Sequence, residues 1–227
     1  MSFLCSMNLN TVIFDMDGLL IDSEPCWEEA GKITLEKYNL SLSSDEYAST
    51  IGLRTKEWIE WWFRKYKVDS VHAPKAEMDI FENAIRIIDE KGEALPGVHE
   101  VIELFRRNDF KIGIATSSPL ALVDVVARKL GISDLIQAVS SAENLNYGKP
   151  HPEVYLDCAR ALGSSPLQCI CFEDSVNGMI AAKAARMKCV VVPAPMHRNH
   201  KEYMLADLQL KTLVEFDEKT LEELINK

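Results

Sequence analysis

A chain of 227 residues with 47% hydrophobic and 26% charged side chains has the make-up of a globular protein. That length buries roughly 70% of the unfolded surface without help from disulfides or metal. The 25 basic and 35 acidic residues leave a formal charge of −10, which excludes a nucleic-acid backbone or an anionic membrane as the natural partner, though not local capture of a small anion. Disorder, collagen, coiled coil and a membrane span are excluded as well.

The first of five short, near-continuous apolar runs is Thr11–Phe14, the pattern of a strand covered on both faces. It ends in Asp15-Met16-Asp17-Gly18. Side chains alternate along a strand, so Asp15 and Asp17 can point the same way, and Gly18 lets the chain turn away sharply. Two carboxylates 4 Å apart repel by roughly 4 kcal/mol at an effective dielectric of 20. Keeping both ionised calls for a cation, and a hard divalent ion suits oxygen ligands. No further strand signal follows until Lys111. Pro25–Tyr38, Lys56–Tyr66 and Pro74–Lys91 instead show helical spacing, as in Ile80, Ala84, Ile87 and Ile88. Residues 20–92 are therefore expected to form a helical insertion that leaves the carboxyl end of the first strand and covers it as a cap. The turn Leu95-Pro96-Gly97 then opens a helix over Val98–Arg106.

The second strand, Lys111–Ala115, ends in Thr116-Ser117-Ser118-Pro119. Ser118 followed by Pro119 reads as a helix N-cap with proline in the first turn. Free amides and the positive dipole end of the following helix, Leu120–Leu130, favour an anion there, with the Thr116 hydroxyl as a further donor. Ile136–Ser140 is the third strand. In Tyr147-Gly148-Lys149-Pro150-His151-Pro152 the prolines stiffen the chain around Lys149, whose ammonium can pair with a phosphate oxygen and with carboxylates. A helix over Glu153–Leu162 leads to the fourth strand, Cys169–Phe172, which ends in Glu173-Asp174. Val176–Met187 is helical, with Gly178 and four alanines fit for close packing on a sheet, and Cys189–Val192 is the fifth strand. Strands alternating with helices predict an α/β protein: a doubly wound parallel sheet forming a Rossmann-like core over 1–19 and 93–227, with the helical cap over 20–92. Right-handed crossovers bring the strands' carboxyl ends to one edge.

Six cysteines (Cys5, Cys26, Cys158, Cys169, Cys171, Cys189) form no CxxC pair; Cys169 and Cys171 read as buried strand residues. Met1–Asn10 lacks the basic and apolar regions of a secretory signal, so a cytoplasmic protein with reduced thiols is expected. His197-Arg198-Asn199-His200, with no carboxylate or cysteine beside it, reads as a solvated loop.

Taken together, Asp15-Met16-Asp17-Gly18, Thr116, Lys149 and Glu173-Asp174 resemble the motifs of the haloacid-dehalogenase-like hydrolase superfamily over nearly the whole chain. Phe14–Glu24 (FDMDGLLIDSE), Gly148–Asp157 (GKPHPEVYLD) and Glu173–Met187 (EDSVNGMIAAKAARM) are similar to its sugar-phosphatase branch, the hexitol and 2-deoxyglucose-6-phosphate phosphatases. Leu19 stands where Thr or Val is commoner and removes no catalytic atom. The resemblance implies a phosphatase that splits hydrolysis into two displacements, with Asp15 as nucleophile and Asp17 as acid and then base. It also implies Mg²⁺ held by Asp15, the Asp17 carbonyl and Asp174, with Glu173 in or next to the shell. Thr116, the Ser117 amide and Lys149 would bind the phosphoryl group. The expected partner is a small phosphorylated substrate (a hexose, 2-deoxyhexose or hexitol 6-phosphate), and the expected state a monomer. The cap would select the leaving group through Trp27 or Gly52-Leu53-Arg54. Arg54 is the choice for reaching sugar hydroxyls or phosphate, whereas Trp58, Trp61, Trp62 and Phe63 are mostly cap core. Asp17 argues against a dehalogenase. A β-phosphoglucomutase shares these motifs but carries a hinge histidine where Trp27 stands, and a catalytically inactive binding protein would lack a carboxylate that is present here.

Overall fold

The computed structural model describes residues 9–50 and 54–226; Cys5 and the Gly52-Leu53 pair lie outside them. Its six strands are β1 (Thr11–Phe14), β2 (Lys111–Thr116), β3 (Ala138–Ser141), β4 (Cys169–Glu173), β5 (Lys188–Val191) and β6 (Leu208–Gln209). They form one parallel sheet in the order β3-β2-β1-β4-β5-β6. This is the doubly wound α/β architecture that the alternation predicts. The order reverses between β1 and β4, where such sheets open a crevice beyond the strands' carboxyl ends. Phe14 stands level with Ile114 on one side and Phe172 on the other. One residue further along the three strands come Asp15, Ala115 and Glu173.

Alternation sorts the strand side chains into two cores. Val12, Phe14, Ile170 and Phe172 join the core shared with α5 (Val98–Arg107), α6 (Leu120–Lys129) and α9 (Glu218–Ile225). Phe172 packs there against Phe14, Phe105 and Phe216 with ring centroids 5.1, 5.7 and 4.9 Å apart. Ile13, Cys169, Cys171 and Cys189 face α7 (Glu153–Ala161) and α8 (Val176–Ala184). Helix α8 stops at Ala184, short of the expected Met187, because Arg186 turns left-handed at φ 65° and the Met187 amide reaches back to the Ala182 carbonyl. The thiols of Cys158, Cys169, Cys171 and Cys189 are free and buried, and burial raises their pKa.

Between β1 and α5 lie α1 (Glu24–Glu36), the short α2 (Ser44–Ala48), α3 (Thr55–Tyr66) and α4 (Ala73–Lys91). Trp58, Trp62 and Phe63 of α3 are buried with Ile80, Ala84, Ile87 and Ile88 of α4, while Trp61 is exposed. These helices connect to the sheet through two chain passages lying side by side. The Asp22 amide donates to the Glu93 carbonyl at 2.9 Å, the Leu95 amide to the Leu20 carbonyl at 3.2 Å, and Ile21 bridges Ala94. Helix α4 also leans on α6, where Lys129 Nζ donates to the Asp89 carbonyl at 2.6 Å. Among the described residues no helix is long and apolar enough to cross a membrane.

Candidate active site

Asp15 follows the last residue of β1 and is 6% exposed. Its amide continues the ladder to the Phe172 carbonyl at 2.9 Å, so backbone pairing sets where the carboxylate emerges. Lys149 comes from the β3–α7 loop and reaches under the strand ends. Its Nζ donates to Asp15 Oδ1 at 2.5 Å, Glu173 Oε1 at 2.6 Å and the Ala115 carbonyl at 3.0 Å. One ammonium thus ties β1, β2 and β4 together. Burial alone would lower the Lys149 pKa; Asp15 and Glu173 overcome that and hold it above the ordinary lysine value, so it stays charged.

Glu173 is fully buried, and both its oxygens are answered. Oε1 takes Lys149 and the Tyr155 hydroxyl at 2.5 Å, and Oε2 takes the Ser175 amide at 3.3 Å and its hydroxyl at 3.1 Å. The α8 backbone comes so close that a Cβ at Gly178 would sit 1.9 Å from the carboxyl carbon. Asp174 lies in a second such cradle. Gly18, at φ +72°, leaves room for Asp174 Oδ2, which a Cβ there would meet at 2.5 Å. The Tyr203 hydroxyl donates to the Asp174 backbone carbonyl at 2.7 Å.

One oxygen from each of Asp15, Glu173 and Asp174 lies within 4.8 Å of the others. Three carboxylates around one ammonium carry an excess of negative charge. Burial, then the neighbouring carboxylates Glu173 and Asp17, push the Asp15 carboxyl up to about 8 against the pull of Lys149. Burial with Glu173 and Asp15 pushes Asp174 well above the usual carboxylate range. An all-oxygen donor set with unneutralised negative charge fits a hard divalent cation of the Mg²⁺ type.

Asp17 is held differently. Its Oδ1 accepts from the Ser23 hydroxyl at 2.7 Å and from the Trp27 indole N–H at 2.9 Å, and its Oδ2 from the Ser118 hydroxyl at 2.6 Å. Ser118 corrects the expected N-cap. Helix α6 begins at Leu120 with Pro119 at the cap position, and the Ser118 hydroxyl goes to a carboxylate, a charge-assisted bond stronger than one to an amide. At the start of α6 the Leu120 amide already faces Glu143 Oε2 at 3.4 Å. Thr116 is buried; its Oγ1 accepts from the Ser118 amide at 3.0 Å. Ser117 is exposed at the turn between them.

The structure therefore gathers Asp15, Asp17, Thr116, Ser117, Lys149, Glu173 and Asp174 at one sheet edge, with Trp27 brought in by α1. The Arg54 guanidinium is held by Glu57 Oε1, at 3.0 Å from Nε and 2.6 Å from Nη2, and its stem lies against Gly148, so that a Cβ there would come within 2.8 Å of Cδ. His197 and His200 have ring centroids 5.1 Å apart on the loop after β5, outside the group that could hold a metal. Sequence reasoning missed Ser23, Tyr155 and Ser175 as donors to the acids, and Tyr203 as a donor to the Asp174 backbone carbonyl. Tyr155 lies on the buried face of α7, where periodicity marks a core residue and says nothing of the hydroxyl.

The profile of the haloacid dehalogenase-like hydrolase family matches residues 9–186. Hexitol phosphatase B of Escherichia coli (strain K12) is 41% identical over 210 residues, 92% of this chain and 95% of that protein. The fructose-1-phosphate phosphatase YqaB of the same strain is 31% identical over 80% of this chain and 95% of its own length. Among solved structures, β-phosphoglucomutase of Clostridium difficile superposes with a TM-score of 0.82 at 25% identity, covering 96% of this chain and 97% of that one.

Proposed function

The chain belongs to the haloacid dehalogenase-like hydrolases and is a phosphatase, and on that premise we propose that it hydrolyses a sugar phosphate, of the hexose, 2-deoxyhexose or hexitol 6-phosphate class, through an aspartyl-phosphate on Asp15. The observation that carries the reading is the Lys149 ammonium joined to both Asp15 and Glu173 beside Asp174. That arrangement presents a nucleophilic carboxylate and a fixed cation to the same small dianion. The 41% identity to a hexitol phosphatase supports the substrate class.

In the first displacement an Asp15 oxygen bonds to phosphorus as the bond to the sugar oxygen breaks, and Asp17 gives that oxygen a proton. In the second, Asp17 takes a proton from a water whose oxygen attacks phosphorus, which releases phosphate and restores Asp15. Lys149, the Thr116 hydroxyl and the Ser117 amide hold the phosphoryl oxygens. Mg²⁺ held by Asp15, the Asp17 carbonyl and Asp174 would offset the repulsion between the nucleophile and the phosphate dianion. Glu173, with four donors on its two oxygens, would stand next to that shell and keep Lys149 in place. Residues 20–92 act as the cap over a core of 1–19 and 93–227, supported by the paired passages at 20–22 and 93–95. Trp27 and Arg54 would meet the leaving group. The protein is read as a cytoplasmic monomer; its free buried thiols favour a reducing compartment.

The test is phosphate release from hexose, deoxyhexose, hexitol and glycolate phosphates, with and without a chelator. Release from the six-carbon phosphates that stops with chelator is the expected result; release from none of them overturns the reading. Incubation with β-glucose 1-phosphate and a trace of the 1,6-bisphosphate tests the mutase alternative. Glucose 6-phosphate appearing faster than free phosphate would establish that alternative.

A further inference from the structure

We propose that Trp27 is a positioning residue for Asp17: its indole N–H, carried on α1, fixes the carboxylate so that the reaction's proton passes through Oδ2. The proposal rests on the reading of Asp17 as acid and base. A carboxylate offers about four lone-pair sites, two on each oxygen. Ser23 and Trp27 take both sites on Oδ1, while Ser118 takes one on Oδ2. The remaining site is on Oδ2, and it is the one left to carry the reaction's proton.

Ser23 and Trp27 stand four residues apart on one helical face, joined by the Trp27 amide to the Ser23 carbonyl at 2.9 Å. Ser23 is fully buried. The indole also packs against Phe81 of α4, edge to face with centroids 6.1 Å apart and planes at 80°. Two insertion helices thus aim a side chain that belongs to the end of β1. An indole N–H donates and does not accept, so Trp27 exchanges no proton with Asp17. It acts on the acid only by holding its orientation.

The experiment compares wild type with Trp27→Phe, Trp27→His and Asp17→Asn on two substrates, a hexitol 6-phosphate and p-nitrophenyl phosphate. The alkoxide leaving group needs a proton as its bond to phosphorus breaks, whereas p-nitrophenolate departs without one. kcat/KM reports the steps through that first transfer. Because a positioned acid is worth 10²–10⁴-fold, loss of one of three donors in Trp27→Phe is expected to cost about 10-fold in kcat/KM on the hexitol phosphate and under about 2-fold on p-nitrophenyl phosphate. The five-membered ring of histidine places Nε2 where the indole places its N–H, so Trp27→His recovers part of the loss although it packs worse on Phe81. A packing role predicts the reverse ranking, with Phe better than His, and that ranking would overturn the proposal. Equal losses on both substrates for Trp27→Phe would overturn it too, provided Asp17→Asn shows the leaving-group split. If Asp17→Asn shows no split, the assignment of Asp17 itself has failed, and the proposal falls with it.

Discussion

Lys149 and Asp15 form an ion pair in which the cation has a second anion and the anion has repelling neighbours. The imbalance makes the carboxylates the pH-sensitive half. Asp15 binds its proton more tightly folded, at about 8, than at the unfolded value of 3.8. Relative stability is therefore complete below the unfolded value and is lost as pH rises toward the folded one. In chelator, the thermal midpoint is expected to fall between about pH 4 and pH 8, and Asp15→Asn to flatten that slope. A slope unchanged in the variant would show that Asp15 is not the group responsible. The same variant should lose more than about 10³-fold in kcat, because an amide cannot act as nucleophile. Tyr155→Phe removes a hydroxyl bonded to a buried carboxylate and should cost about 1.5–3 kcal/mol in a urea melt. The acids were legible in the chain because strand ends advertise them, and Lys149 because prolines stiffen the loop around it. Their donors were not: Ser118 looks like a helix cap and Tyr155 like core, and only tertiary proximity reveals which acceptor a hydroxyl finds.

At the scale of elements, β4 and α8 work as one device. The strand delivers Glu173 to the sheet edge, and α8 can cross above it only because Gly178 has no side chain. Gly178→Ala should force the carboxylate off Lys149 and lower stability by roughly 1–3 kcal/mol, the usual cost of overpacking a filled site. Activity should fall with it; denaturant melts and phosphate release together check this, and a variant with wild-type stability would show that the site has slack. The β-branched and apolar runs made β1, β2 and β4 readable almost to the residue. β6 is two residues long and carries no pattern of its own, since its pairing with β5 is the only thing that makes it a strand. Helix α2 owes its existence to a capping box between Ser43 and Glu46 in a chain stretch too short to show periodicity. The glycine cradles were equally hidden, because a missing side chain has meaning only once the neighbour it makes room for is known.

For the whole molecule, the sheet order decides where chemistry is possible. With β1 flanked by β2 and β4, the chain's two acidic strand ends become neighbours although Asp15 and Asp174 are far apart in sequence. Asp174→Ala removes one of the three carboxylates whose oxygens lie within 4.8 Å of one another and should raise the Mg²⁺ concentration for half-maximal activity by at least about tenfold. An unchanged requirement would place the ion elsewhere. The paired passages at 20–22 and 93–95 have a different consequence. Because the chain leaves and returns at adjacent points, everything between them behaves, to the sheet, as a single closed loop. Loop-closure entropy grows only as the logarithm of length, so substituting a four-residue turn for residues 23–92 would ease closure by about 2–3 kcal/mol. The spliced chain should still melt cooperatively and bind inorganic phosphate through Lys149. Having lost Trp27 and Arg54, it should no longer distinguish one phosphate ester from another. A gene that acquired such a segment, or exchanged it for another, would keep its sheet and, on the proposed role of the cap, change what the sheet acts on.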